Sequence, residues 1–179
     1  MEQRLARVNI SLAGGSAGVG AKTCKVTLPT SWLSILGINE GQRQVMLSFD
    51  GERIIIEPAL SIEEFARKKM AAGDLVYELC YYDDNQLCSI IYADFTDRTL
   101  RVENHTEEPV KTAFGKKALP TWADFEAFLE ERCVPRGRAG LRDYLNSLGL
   151  AEYDPIEIIK KTEGRMAEDS QWLKVEVLK

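Results

Sequence analysis

The first third of the chain alternates apolar and polar positions with the two-residue period of strands. Leu5–Leu12 is a short alternating stretch that predicts an edge strand. The glycine-rich run Ala13–Gly20 follows and is expected to be flexible. In Lys22–Leu28 the residues Cys24, Val26 and Leu28 share one face, and Thr23, Lys25 and Thr27 the other. Pro29 breaks this strand, Thr30 or Ser31 is placed to cap a short helix over Trp32–Leu36, and Gly37 is placed to end it. Gln44–Phe49 and Arg53–Glu57 are two β-rich runs separated by Asp50-Gly51, a strong hairpin signal.

Pro58 closes this unit. Ser61 and Glu64 form a capping-box pattern ahead of a helix or linker helix that reaches Met70. Three further strands, Leu75–Tyr82, Leu87–Phe95 and Thr99–Glu103, are separated by the polar turns 83–86 and 96–98, which predicts an antiparallel meander. Past Phe114 the period becomes helical. Thr121 caps a helix over Trp122–Glu131, with Trp122, Phe125, Phe128 and Leu129 at helical spacing. A second helix spans Leu141–Leu148 before Gly149, and a third opens at Asp154-Pro155 and ends at Gly164. Gln171–Val177 alternates as a last strand. The expected fold is α+β, with a hairpin domain over 1–58, a linker helix over 59–73, and an α+β domain over 74–179. That last domain combines the meander, three helices and the final strand.

A strand, short helix and hairpin within one chain bury little, because each strand is apolar on one face and has no second layer. The physical expectation for residues 1–58 is an obligate dimer in which two copies interleave. Net charge is −5 over 179 residues, unevenly spread. Residues 1–57 carry +1, residues 58–110 carry −6, and residues 111–179 balance. No apolar run approaches the roughly 20 residues of a membrane span, and the first residues lack a secretory pattern, so a cytoplasmic chain without membrane contact is expected. The four cysteines include no C-x-x-C pair, and His105 is the lone histidine, so no metal, disulfide or cofactor is expected. Cys24 and Cys80 read as small hydrophobes on the apolar faces of strands.

The segments Lys25–Pro29, Trp32–Ile38, Val45–Gly51 and Ile54–Pro58 arrive in an order and spacing that resembles the AbrB/MazE/SpoVT family. The resemblance covers residues 7–58, about a third of the chain. It implies a swapped-hairpin, β-barrel-like dimer that binds DNA, in proteins that act as transition-state regulators or antitoxins. The family places basic residues on the strand before the Pro, a position held here by Lys25, while Thr27 stands where some antitoxins carry arginine. Some members carry paired arginines early in the short helix, and here those positions are Leu33 and Ser34. Lys22 and Lys25 are the expected phosphate contacts because they flank a polar strand face, with Arg7 and Arg4 able to add to them.

Other patterns carry less. Gly15–Thr23 falls short of a phosphate-binding loop, because Ala21 intrudes before Lys22 and the run enters a strand instead of opening a helix. Arg136, Arg138 and Arg142 form a basic cluster in which Arg138 and Arg142, four apart, are expected to share a helix face. The cluster would suit a phosphate or an acidic partner surface, or equally salt bridges to Glu130 and Glu131. No nucleophile, acid–base pair or metal-ligand spacing emerges, so no catalytic residue and no enzyme is expected. The stretch from about Asp94 to Val175 resembles uncharacterised Gram-positive proteins associated with toxin–antitoxin and mobile-element neighbourhoods, sometimes beside a HipA-like kinase. The expected function is a homodimeric or tetrameric DNA-binding regulator that controls its own operon and has a folded partner-binding domain. A toxin or HipA-like kinase is the candidate protein partner. The competing expectation is an antitoxin-like interaction module that keeps the swapped hairpin for dimerisation only.

Overall fold

A computed structural model of the chain describes residues 2–13, 18, 20–49 and 51–178. The fold is α+β and divides into two compact units, Met1–Ala59 and Leu60–Lys179.

The first unit holds two separate antiparallel hairpins and a short helix. Strand β1 (Val8–Leu12) pairs with β2 (Lys22–Val26), from Val8 opposite Val26 to Leu12 opposite Lys22. Most of the glycine-rich run between them lies outside the described residues, as does Asp50 in the second turn. Helix α1 (Thr30–Ile35) is preceded by Pro29, not capped by Thr30 or Ser31. Pro29 already has the extended conformation of a cap, so Thr30 falls inside the helix, where its carbonyl accepts the Ser34 hydroxyl at 3.0 Å. Gly37 follows with φ +72°, a conformation costly for any residue with a Cβ. Strands β3 (Val45–Phe49) and β4 (Ile54–Pro58) form the second hairpin, with Leu47 opposite Ile56.

No described residue of this unit is buried. On β1–β2, Val8, Ile10, Leu12 and Val26 are exposed, and on β3–β4 so are Val45, Leu47, Phe49 and Ile54. Cys24, expected to sit in an apolar layer, is exposed with them, because among the described residues no layer covers that face.

The second unit is built on one four-stranded antiparallel sheet of order β7-β6-β5-β8. Strands β5 (Val76–Asp83), β6 (Gln86–Asp94) and β7 (Thr99–Asn104) are the meander, and β8 (Gln171–Leu178) returns to pair along β5. One face carries Leu79, Tyr81, Ile91, Ala93, Leu100 and Leu173 into a single buried cluster. Helices α3 (Trp122–Glu131), α4 (Leu141–Ser147) and α5 (Pro155–Thr162) cover it with Phe125, Phe128, Leu129, Leu145, Ile156, Ile158 and Ile159. Thr121 and Asp124 cap α3 reciprocally, and Asp154 caps α5 by accepting from Ile156 and Glu157. Gly164 is buried with φ +59°, and a Cβ there would stand 3.2 Å from the Arg132 Cβ, so this turn needs glycine on both counts.

The helix expected as a linker belongs to this unit. In α2 (Ile62–Ala72) the side chains Ile62, Phe65 and Ala66 are buried, and the Arg101 guanidinium lies 5.2 Å from the Phe65 ring. An amphipathic helix beside a one-sided sheet gains more by covering it than by standing free in water. Its Ser61–Glu64 capping box forms as expected.

Lys69 fixes the last turn of α2 to the sheet. Its ammonium lies 2.8 Å from Asp94, 3.4 Å from Asp74 and 2.5 Å from Asp97. The Asp94 side chain is fully buried and also accepts the backbone N–H groups of Thr96 and Asp97. The same three carboxylates are the acidic group whose oxygens lie close enough together to suit a cation, and the lysine takes that place. Burial raises the Asp94 pKa, but the Lys69 ammonium and the two N–H groups outweigh it and hold the carboxyl below its ordinary value. No helix among the described residues is long and apolar enough to cross a membrane.

Removing Lys69 would leave a buried carboxylate without its counter-charge, a loss of about 3 kcal/mol in comparable cases. Lys69→Ala is therefore expected to lower the urea midpoint of the second unit, followed through its own tryptophans, Trp122 and Trp172. The Asp94 contribution is present above the unfolded carboxylate pKa of about 3.9 and is lost as pH falls through the lower folded value. In the Asp94→Asn variant that acid-side loss of stability should shrink, as read from unfolding curves between neutral and acid pH.

Candidate nucleic-acid interface

The β1–β2 register decides which basic side chains act together. Asn9 stands opposite Lys25 and Ser11 opposite Thr23, and successive strand residues point to opposite faces. Lys25 therefore shares the polar face with Asn9, Ser11 and Thr23. Lys22, opposite Leu12, has the parity of Cys24 and Val26 and belongs to the apolar face. The two lysines expected to flank one polar face are thus on opposite faces, because three residues of a strand separate their positions by an odd number of steps.

Arg7 and Thr27 are the residues next beyond the paired segment, at the parity of Asn9 and Lys25. With Arg4, Asn9, Pro29 and Trp32 they line an open hollow of about 450 Å³. Three of the five residues expected from the sequence, Arg4, Arg7 and Thr27, are thus gathered at one place, with Lys25 on the strand face that leads to it. Asn9 and Trp32 were missed by the sequence reading. Both are ordinary residues in ordinary patterns, and only the turn of the chain at Pro29 brings the half-buried indole beside the first strand.

Electrostatics favour this end of the unit. Residues 1–28 carry four basic side chains and one acidic, whereas residues 29–58 carry two basic and four acidic. Arg4, Arg7, Lys22 and Lys25 are all exposed, and none has a carboxylate partner among the described residues. The near-neutral composition thus conceals a charge of +3 over residues 1–28 and −2 over residues 29–58. Four unpaired cations with hydroxyl and amide side chains around them are suited to phosphate oxygens, which take most hydrogen bonds in protein–DNA interfaces. In α1, Leu33 is half-buried and the Ser34 hydroxyl donates to the Thr30 carbonyl, so this helix adds no charge at those positions.

The basic cluster of the second unit is arranged differently from its expectation. Gly140, with φ +75°, is the residue before α4, so Arg138 lies outside the helix and does not share a face with Arg142. Arg136 pairs with Glu130 at 2.9 Å, and its guanidinium lies 4.3 Å from the Tyr153 ring. Arg138 lies 5.9 Å from the Tyr144 ring, while Arg142 is exposed and unpaired among the described residues. Two of the three arginines are therefore engaged by their own unit.

Comparison with models of known protein families, with curated proteins and with solved structures finds no match.

Exposed and unpaired charges contribute little to folding, typically within about 0.5 kcal/mol. The triple variant Arg4→Ala, Arg7→Ala, Lys25→Ala is expected to keep the wild-type thermal midpoint. A measured drop of several degrees would show that these side chains hold the unit together and do not stand ready for a ligand.

Proposed function

We propose that the chain is a homodimeric DNA-binding transcription regulator, using its first unit to hold phosphates and its second to hold a protein partner. The observation that carries this reading is the set of unpaired cations on and just before the first hairpin, two of which, Arg4 and Arg7, line one hollow with Thr27 and Trp32. The sequence likeness to AbrB-like domains supports the same reading. Lys25, Arg7 and Arg4 serve as phosphate contacts, with Thr27 and Asn9 as hydrogen-bonding neighbours. Lys22 contributes charge from the other face of the hairpin.

Dimerisation follows from burial. Ordering one residue costs roughly 1–2 kcal/mol of backbone entropy, and burial returns only about 25 cal/mol for each Å² of apolar surface. A unit in which no described residue is buried cannot meet that cost alone, whereas a second copy laid on the exposed faces of both hairpins can. Autoregulation, and a toxin or HipA-like kinase as the partner of the second unit, belong to the same proposal.

A second reading has its own support. The half-buried Leu33 and the self-bonded Ser34 deprive α1 of the helix cations that some related DNA binders use. On that reading the first unit serves dimerisation only, and the protein is an antitoxin-like interaction module.

The two readings separate in a fluorescence-anisotropy titration of DNA from upstream of the protein's own gene, at several salt concentrations. A DNA regulator gives binding whose logarithm falls linearly with log salt, and Lys25→Ala in both protomers reduces that slope by about 1.8, from two lost phosphate contacts. Absence of binding at low salt by a confirmed dimer would leave the interaction module.

For the dimer itself, Leu47→Asp is the informative change, because Leu47 is 63% exposed within one chain. If the surface were free, the substitution would be nearly neutral. As part of a dimer interface it is expected to yield monomers in sedimentation equilibrium and to unfold the first unit.

A further inference from the structure

The second unit contains a cavity of about 620 Å³ bounded by α3, by residues 110–117 and by the approach to β8. The Arg132 side chain lines it and is only 6% exposed. Its two terminal nitrogens donate to one Asp169 oxygen at 3.0 and 2.5 Å, and one of them also reaches Gln171 at 3.3 Å. The Tyr81 hydroxyl donates to the same Gln171 carbonyl. Lys117, the other cation of the lining, is bound by Asp124 at 2.6 Å. Both positive charges are therefore matched inside the cavity wall.

The remaining carboxylates are not. Glu131 and Glu168 line the cavity, are exposed, and have no ion pair or hydrogen bond among the described residues. The cavity thus holds two negative charges beyond those its own cations neutralise.

Its apolar wall includes three aromatic rings, of which Phe114 is half-buried and Tyr81 and Phe128 are buried behind it, beside Met166. Tyr81 packs edge-on against Phe128 with centroids 5.3 Å apart, and Phe114 lies 5.4 Å from the same Phe128. Aromatic faces carry negative charge density and attract cations, most strongly where water is partly excluded. The lining already seats one guanidinium in this way, Arg132 being 5.9 Å from the Tyr81 ring. An anion would meet the two free carboxylates, and a neutral apolar molecule would leave them unused.

We infer that this cavity binds an organic cation, an ammonium or guanidinium group carried on a short alkyl chain. The charged head sits at Glu131 and Glu168, and the alkyl chain lies against Phe114 and Met166. The Arg132–Asp169 pair is a positioning element, holding the approach to β8 in place without touching the ligand charge. The same chemistry has two sources: a free amine, or the lysine or arginine side chain of a partner protein. The inference does not depend on DNA binding by the first unit.

Met166 provides the probe, since it alone of the described methionines lines the cavity. The full chain, labelled at methionine methyl groups and assigned with Met166→Leu, would be titrated by NMR with hexylammonium, hexanoate and a short lysine-containing peptide. Hexylammonium should move the Met166 signal and leave Met46 and Met70 in place, while hexanoate leaves all of them. The double variant Glu131→Gln, Glu168→Gln should weaken the amine about tenfold or more, as expected for losing charge-assisted contacts. Lys25→Ala should bind the amine as wild type does, which separates this site from the DNA surface.

Tighter binding of the peptide than of the amine assigns the site to a partner side chain, and the reverse assigns it to a free amine. No Met166 shift at tens of millimolar amine, an equal response to hexanoate, or unchanged affinity in the double variant would each overturn the inference. Should the double variant lose its thermal midpoint, the single variants and the weakening of wild-type binding by added salt supply the same decision.

Discussion

Every sheet in this chain has an apolar face that must be removed from water, and the two units meet that demand in opposite ways. In the second unit β8 returns across more than eighty residues to pair along β5, which widens the meander into a four-stranded sheet. Helices α3, α4 and α5 then cover one face and α2 packs on the sheet from the other. In the first unit each hairpin has two strands and no layer above it, so the same kind of apolar face stays in solvent. Loop-closure entropy grows only slowly with chain length, so the long return of β8 costs little beside the apolar area it closes.

The polar arrangements follow from that packing. Lys69 meets three carboxylates because α2 lies on the sheet near the turn that Asp94 organises. Arg132 is buried because the end of α3 runs into the approach to β8, where Asp169 and Gln171 are positioned to receive it. A buried guanidinium without such partners would cost several kcal/mol, so the closing of β8 and the burial of Arg132 depend on one another. Functional chemistry is divided in the same manner. The first unit carries cations that its own structure leaves unpaired, and the second uses most of its cations internally and leaves two carboxylates over in the lining of its cavity.

Much of this was legible in the sequence wherever the signal is local. The strict alternation of Lys22–Val26, the run of Val45–Phe49 and Ile54–Pro58, and the helical spacing of Phe125, Phe128 and Leu129 each specify an element by period alone. Ser61, Thr121 and Asp154 mark helix starts because a side-chain oxygen there satisfies N–H groups that the helix leaves open. Helix α1 starts two residues before the expected Trp32, since Pro29 provides the extended cap conformation without a side-chain bond. Arg138 was assigned to a helix that begins only after Gly140, because four-residue spacing implies a shared face only once a helix is present.

Local pattern specifies the main elements, their order, the α+β class and the one-sided character of both N-terminal hairpins, since all of these depend on periodicity and on neighbours a few residues away. Tertiary structure decided which residues meet. It gathered Arg4, Arg7, Thr27 and Trp32 around one hollow, drew α2 onto the sheet, and enclosed Arg132 with Tyr81, Asp169 and Gln171. Those contacts join positions tens of residues apart, and their energy comes from burial and charge matching that exist only once the chain has closed, so no local pattern records them.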